Sequence, residues 1–213
     1  AVDPEATPRM PNSHTILGLA ADYTGERLTL SADIAASRDE FPFDDNQKPH
    51  APNEVSSIMA AQDDTGRDYL MFTHMDGISA APAGSGEFGT YGLGSGLGSP
   101  RVRGAAAAGG QWFFATDGGL SVLAPQPGQA GGAEGNPMDY VDNWTRLYEA
   151  DGLPGNTLTA VTVTPWQVWV ASADSGVGSA YLDDPHAWTI YRAPATGGGG
   201  LMSNAVAALA YDP

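Results

Sequence analysis

The sequence predicts an all-β chain of repeated four-stranded sheets, and three observations predict it. Twenty-eight glycines and 16 prolines punctuate the 213 residues, while only 16% of residues are charged. Aromatic and β-branched runs of strand length keep returning between those turn residues, which is the pattern of short strands joined by tight turns. An apolar strand that opens just after a turn residue also recurs along the chain. Its spacing of roughly 40 to 50 residues suits four-stranded units with variable outer loops.

The recurring strand is read at Ile16 to Asp22, after Asn12 and Ser13, and at Val55 to Ala61, after Pro52 and Asn53. It returns at Val102 to Ala108 after Ser99 and Pro100, at Leu158 to Val163 after Gly155 and Asn156, and at Val206 to Tyr211 after Ser203 and Asn204. Hairpin turns follow at Asp22 to Gly25, Asp63 to Gly66, Gly109-Gly110 and Pro165. Asp bonds its own backbone in such turns and Gly tolerates positive φ. Second strands are predicted over Arg27 to Ser31, Tyr69 to Thr73, Trp112 to Thr116 and Val168 to Ser172.

A third element opens at Asp76-Gly77-Ile78, at Gly119-Leu120 and at Gly176-Val177, with Asp33-Ile34 in the first repeat. The fourth is aromatic: Phe88 to Tyr91, Trp144 to Tyr148 and Trp188 to Tyr191, with Phe41-Pro42-Phe43 a poor substitute in the first repeat. The architecture expected is a β-propeller or propeller segment of four four-stranded blades plus the first strand of a further blade. Its approximate blades cover residues 12–50, 51–98, 99–154 and 155–202, with a partial blade over 203–213 and an N-terminal extension over 1–11. An unpaired strand at Val206 to Asp212 is a liability. It implies ring closure or a longer parent propeller, and the Pro- and Asp-rich Ala1 to Met10 favours the latter. Gly84 to Gly98, Gln126 to Pro137 and Thr196 to Gly200 read as flexible connections.

Nine basic against 25 acidic residues give a net charge of −16, which repels nucleic acid and anionic membrane surfaces. No apolar run reaches membrane-span length, so membrane insertion is not expected. With no cysteine, disulfides, thiolate metal sites and thiol nucleophiles fall away.

Asp151-Gly152-Leu153-Pro154-Gly155-Asn156, the strand Leu158 to Val163, Val168-Trp169-Val170, Gly176-Val177 and Trp188-Thr189-Ile190-Tyr191 resemble the repeat of two-component-regulator propellers. That repeat reads Asp-Gly-Leu-Pro-Ser-Asn, a strand, a turn, Leu-Trp-Val-Gly-Thr and a Gly-Gly-Leu hairpin. The match is strongest over residues 144–211 and fair over 99–125. Over 12–98 the tryptophan is lost from Arg27 to Leu30 and from Tyr69 to Phe72, and Ala171 stands where the family favours glycine. The resemblance implies a propeller of bacterial periplasmic or extracellular sensor regions or secreted proteins. It implies structural motif residues and no catalytic ones.

Asn12, Asn53, Asn156 and Asn204 repeat at the mouths of the inner strands. Turn capping is the plain reading. The sharper one has these loops ring a central channel, with His14 and Glu54 converging on a ligand there. Trp112 and Trp169 alternate with small residues in second strands and read as inter-sheet core, whereas Trp166, in a turn, reads as exposed and joins Asn12, His14, Asn53, Glu54, Asn156 and Asn204 as a candidate ligand contact. The four histidines, His14, His50, His74 and His186, lie far apart along the chain without metal-ligand spacing, so no zinc site is expected. Asp39, Glu40, Asp44 and Asp45 form an acidic loop eligible for calcium, though without the spacing of a calcium loop, and no other cofactor is implied. Gly92 to Gly98 has neither the lysine nor the strand–loop–helix setting of a phosphate loop, and no nucleophile elbow is present.

The function expected is a non-enzymatic ligand- or protein-binding sensor or scaffold module of an exported bacterial protein, extracellular or periplasmic. It would hold a small molecule, glycan or protein segment at the propeller face, beside the remainder of a longer propeller chain. The alternatives are an exported propeller lyase or hydrolase with acids or His on the channel face, and a structural docking subunit.

Overall fold

A computed structural model describes residues 17–24, 27–34, 55–63, 65–85, 88–125, 136–194 and 200–212. The chain divides into two compact units, Ala1–Pro52 and Asn53–Pro213. In the first, β1 (Leu17–Thr24) and β2 (Arg27–Ile34) form an antiparallel hairpin with Leu17 opposite Ile34 and Thr24 opposite Arg27. Strand β2 runs through Asp33 and Ile34, where the sequence reading opens a new element. The second unit turns its chain at the corresponding places with glycines at positive φ, at Gly77, Gly119 and Gly176. The first repeat has no such glycine, and its strand continues. The predicted element at Phe41 to Phe43 lies outside the described residues.

The second unit holds three four-stranded antiparallel sheets, each a simple up-and-down meander. The first contains β3 (Val55–Gln62), β4 (Asp68–His74), β5 (Gly77–Pro82) and β6 (Gly89–Tyr91). The second contains β7 (Val102–Ala108), β8 (Gln111–Thr116), β9 (Gly119–Leu123) and β10 (Trp144–Leu147). The third contains β11 (Leu158–Val163), β12 (Gln167–Ser172), β13 (Val177–Tyr181) and β14 (Asp184–Tyr191). Among the described residues there is no α-helix, only 3₁₀ turns such as Glu149–Asp151. Each inner strand carries a register shift near its start, at Val55/Ser57, Val102/Gly104 and Leu158/Ala160. Such bulges increase local twist, and the same device serves all three sheets.

Inner strand β7 has β3 and β11 as its neighbours from the flanking sheets. The middle sheet is therefore buried on both faces, and β8 reads Trp112-Phe113-Phe114-Ala115 without polar alternation. Trp112 and Phe114 enter one core with Tyr69, Met71, Ile78 and Trp144. Phe113 and Ala115 face the other way, into a core with Leu158, Val168 and Val170. These interfaces supply the apolar burial that a lone four-stranded sheet lacks. The segment from Asn204 to Asp212 has no strand pairing, but it is held to the third sheet. The Val206 amide donates to the Ser172 carbonyl at 3.1 Å, and the Val206 carbonyl accepts from Thr159 Oγ1.

Candidate functional site

The three sheets of the second unit present two ends. At the leading end the inner strands begin, and at the hairpin end they turn into β4, β8 and β12.

At the leading end the Gly119 amide donates to the Asn156 carbonyl at 2.6 Å, and the Gly176 amide donates to the Asn204 carbonyl at 2.8 Å. Asn156 Oδ1 accepts from the Glu149 amide at 2.7 Å, and Asn204 Oδ1 from the Ala193 amide at 2.6 Å. Each asparagine thus ties the segment before it and the third strand of the preceding sheet to one point. Between the first and second sheets Pro100 follows Ser99 instead, and the Gly98 amide donates to Ser121 Oγ at 2.9 Å.

Arginines also hold this end together. Arg103 pairs with Asp117 (Nε to Oδ1 2.5 Å), and Arg101 adds a longer contact of 3.4 Å. The Asp117 bond raises the Arg103 pKa. Arg192 donates to the Pro154 carbonyl at 3.2 Å and Arg146 to the Gly96 carbonyl at 2.8 Å. Among the other leading-end candidates, Asn12, His14, Asn53 and Glu54 lie outside the described residues, as do Asp39, Glu40, Asp44 and Asp45.

At the hairpin end a cleft of about 440 Å³ opens between the first and second sheets, lined by Gln62, Asp63, Asp68, Gln111 and Trp112 among others. Trp112 Nε1 donates to the Gln62 carbonyl at 3.1 Å, and Gln62 Nε2 to Asp68 Oδ1 at 2.9 Å. Asp63 is only 6% exposed. Its Oδ1 accepts from the Thr65 amide, the Thr65 hydroxyl and the Arg67 amide, and the Tyr69 hydroxyl also donates to its carboxylate. Burial alone would raise the Asp63 pKa, but donation by Thr65 and Arg67 outweighs it and holds the carboxyl below its ordinary range. No sequence motif marks this cleft, and the Asp-Asp-Thr-Gly turn at 63–66 signals only a hairpin.

Trp166 stands at the hairpin end of the third sheet and is 71% exposed, away from the asparagines with which the sequence reading groups it. Trp112 is wholly buried between sheets, as its pattern predicts. Trp169 is half-buried and stacks on Tyr191 with ring centroids 5.5 Å apart. It faces away from Val168 and Val170, on the face of the third sheet turned away from the second sheet. His74 Nε2 lies 3.1 Å from Ser79 Oγ, and burial lowers its pKa against the opposing pull of Asp76. Among the described residues no group of three His, Cys, Asp or Glu is placed to hold a metal ion.

No model of a known protein family matches the chain. No curated protein matches it either. Two solved structures from B. thetaiotaomicron are similar to it. The extracellular domain of BT4673, named as a hybrid two component system, matches over 88% of this chain at 14% identity and a TM-score of 0.50. The extracellular domain of BT3049, named likewise, matches over 82% at 17% identity and a TM-score of 0.48. The likeness is one of fold. This chain spans 23% of the length of each of those chains.

Proposed function

We propose that this chain is a non-enzymatic binding module of sensor type, a section of a β-propeller in an exported bacterial protein, extracellular or periplasmic. The observation that carries the reading is a repeated bond from the start of a third strand to the asparagine of the segment that follows its sheet, Gly119 to Asn156 and Gly176 to Asn204. A joint used twice in the same way is how blades are stacked around an axis. Rigid stacked sheets leave recognition to the loops at their ends. The fold likeness to a domain named as extracellular and part of a hybrid two component system supports the same reading.

On this reading the partner is a small molecule, glycan or protein segment at the propeller face, and the remainder of a longer propeller is a further partner. The net charge of −16 argues against nucleic acid. Thermal-shift screening of the whole chain against oligosaccharides, metabolites and peptides tests the proposal, with chromatography of every stabilising compound afterwards. The expected result is a saturable rise in melting temperature with the compound recovered unchanged. Recovery of cleaved or eliminated product would establish the lyase or hydrolase alternative instead.

A further inference from the structure

Two side-chain positions repeat through the three sheets of the second unit. Met71, Phe113 and Trp169 each stand three residues before His74, Thr116 and Ser172, the residues opposite the glycine that opens the third strand. Tyr91, Leu147 and Tyr191 share the second position, because a Cβ built on that glycine (Gly77, Gly119 or Gly176) lies 2.2 Å from the carbonyl oxygen of each. Met71 and Tyr91 are buried in the core shared with the second sheet, and Phe113 and Leu147 in the core shared with the third. Trp169 and Tyr191, the same pair on the third sheet, stack on each other, yet Trp169 is only half-buried and Tyr191 is 42% exposed. Tyr181, on the same face of β13, is 57% exposed.

One edge of that face already holds a piece of chain. Leu158 opens β11 two residues after Asn156, and Val206 stands two residues after Asn204. The two asparagine carbonyls take the same bond, from Gly119 and Gly176. Val206 is then tied to Ser172 and Thr159 of the third sheet. Val206–Asp212 therefore begins where an inner strand begins, but it has no ladder partner among the described strands. Such an edge is a template for an added strand.

We propose that the Trp169–Tyr191 face and the edge of Val206–Asp212 together dock three further antiparallel strands of a longer propeller. The inference rests on the reading of this chain as a propeller section, and it names the surface and the kind of partner. The strand that pairs with Val206–Asp212 carries apolar side chains at alternate positions. These cover Trp169 as Val168 and Val170 cover Phe113. A glycan would leave the strand edge unpaired. A second copy stacked in the same way would bring its own β3 to the place that Val206–Asp212 holds.

The test is hydrogen exchange, read by mass spectrometry, of the whole chain with a synthetic peptide of Thr164–Tyr191, the residues that follow β11 and complete its sheet. The control peptide carries Val168→Lys and Val170→Lys. In the chain, Trp169→Glu and Tyr191→Glu each place a carboxylate on the docking face, and Ile58→Glu adds the same charge at an exposed site on the first sheet. Exchange at β8 reports that each variant keeps its stacked sheets. The expected result is exchange at Val206–Asp212 slowed about tenfold with peptide at about ten times its Kd, and β8 unchanged. The control peptide should be inert, each docking-face variant should abolish the slowing, and Ile58→Glu should retain it. Unslowed exchange would overturn the proposal, as would slowing that survives in both docking-face variants. A dimer of the unmodified chain that either variant dissociates would overturn it in favour of a second copy. No small ligand enters this assay, so its failure leaves the sensor reading to the thermal-shift screen, and a negative screen leaves the exchange result intact.

Discussion

The amide of Gly176 donates to the carbonyl of Asn204 at 2.8 Å, and the pair Gly119 and Asn156 makes the same bond one sheet earlier. Both glycines adopt positive φ, 93° at Gly176 and 98° at Gly119. A Cβ on Gly176 would lie 2.2 Å from the Tyr191 carbonyl oxygen, and one on Gly119 2.2 Å from that of Leu147. Two constraints therefore meet at one residue: a backbone conformation that L side chains avoid, and a carbonyl packed where Cβ would be.

Alanine at Gly176 or Gly119 is accordingly predicted to destabilise more than alanine at Gly66. Gly66 has φ 81° but nothing within 4 Å of a built Cβ, so its substitution costs only the conformational term of about 1–3 kcal/mol. Urea unfolding of the three variants measures the difference. Equal losses at all three positions would mean that the close approach to the fourth strand contributes nothing.

Asn156→Ala and Asn204→Ala each remove one side-chain acceptor from a backbone amide. The expected cost is about 1 kcal/mol apiece, and the two should add because they serve separate joints. Asn→Asp at either position keeps Oδ1 and should recover most of the loss. Chemical denaturation of the singles, the double and the Asp variants checks this.

Trp112 is fully buried and its Nε1 reaches the Gln62 carbonyl on the neighbouring sheet. Trp112→Ala is predicted to cost about 3–5 kcal/mol. Trp112→Phe keeps an aromatic partner for Tyr69, whose ring centroid lies 5.3 Å away, but leaves that carbonyl short of a donor. Its expected cost is about 1–3 kcal/mol. A Phe variant as damaging as the Ala variant would shift the weight from packing to the hydrogen bond.

His74 links stability to pH. Burial lowers its folded pKa below the ordinary 6.5, so the unfolded chain binds the proton more readily. The His74 contribution is present above 6.5 and is lost as pH falls through the folded value. His74→Gln should flatten the stability profile on the acid side of 6.5 and leave the alkaline side unchanged. A steeper acid loss in the variant would reverse the sign of this assignment.

Much of this fold is legible in the sequence because its devices are local. Gly77, Gly119 and Gly176 each open a third strand, and the inner strands open after turn residues whether the joint uses Asn156 or Pro100. Where a device is missing the reading goes astray, as at Asp33-Ile34, which β2 absorbs for want of a glycine. Trp169 shows a second limit: alternation places it on one face of β12, but its burial depends on whether another sheet covers that face. The hairpin-end cleft is the least legible feature. Gln62 and Gln111 come from different sheets, and their meeting depends on sheet stacking, which no local pattern encodes.

The central claim is that separate four-stranded sheets stack with their inner strands side by side. The chain has no cysteine, so a pair can be introduced without background. A Cβ built on Gly104 in β7 lies 3.7 Å from the Ala160 Cα in β11, a separation within reach of a disulfide. Oxidation of the Gly104→Cys, Ala160→Cys double variant, followed by non-reducing electrophoresis and mass spectrometry, measures it. Stacked inner strands predict a nearly complete intramolecular crosslink. Two free, reactive thiols in a protein with unchanged circular dichroism would contradict the arrangement.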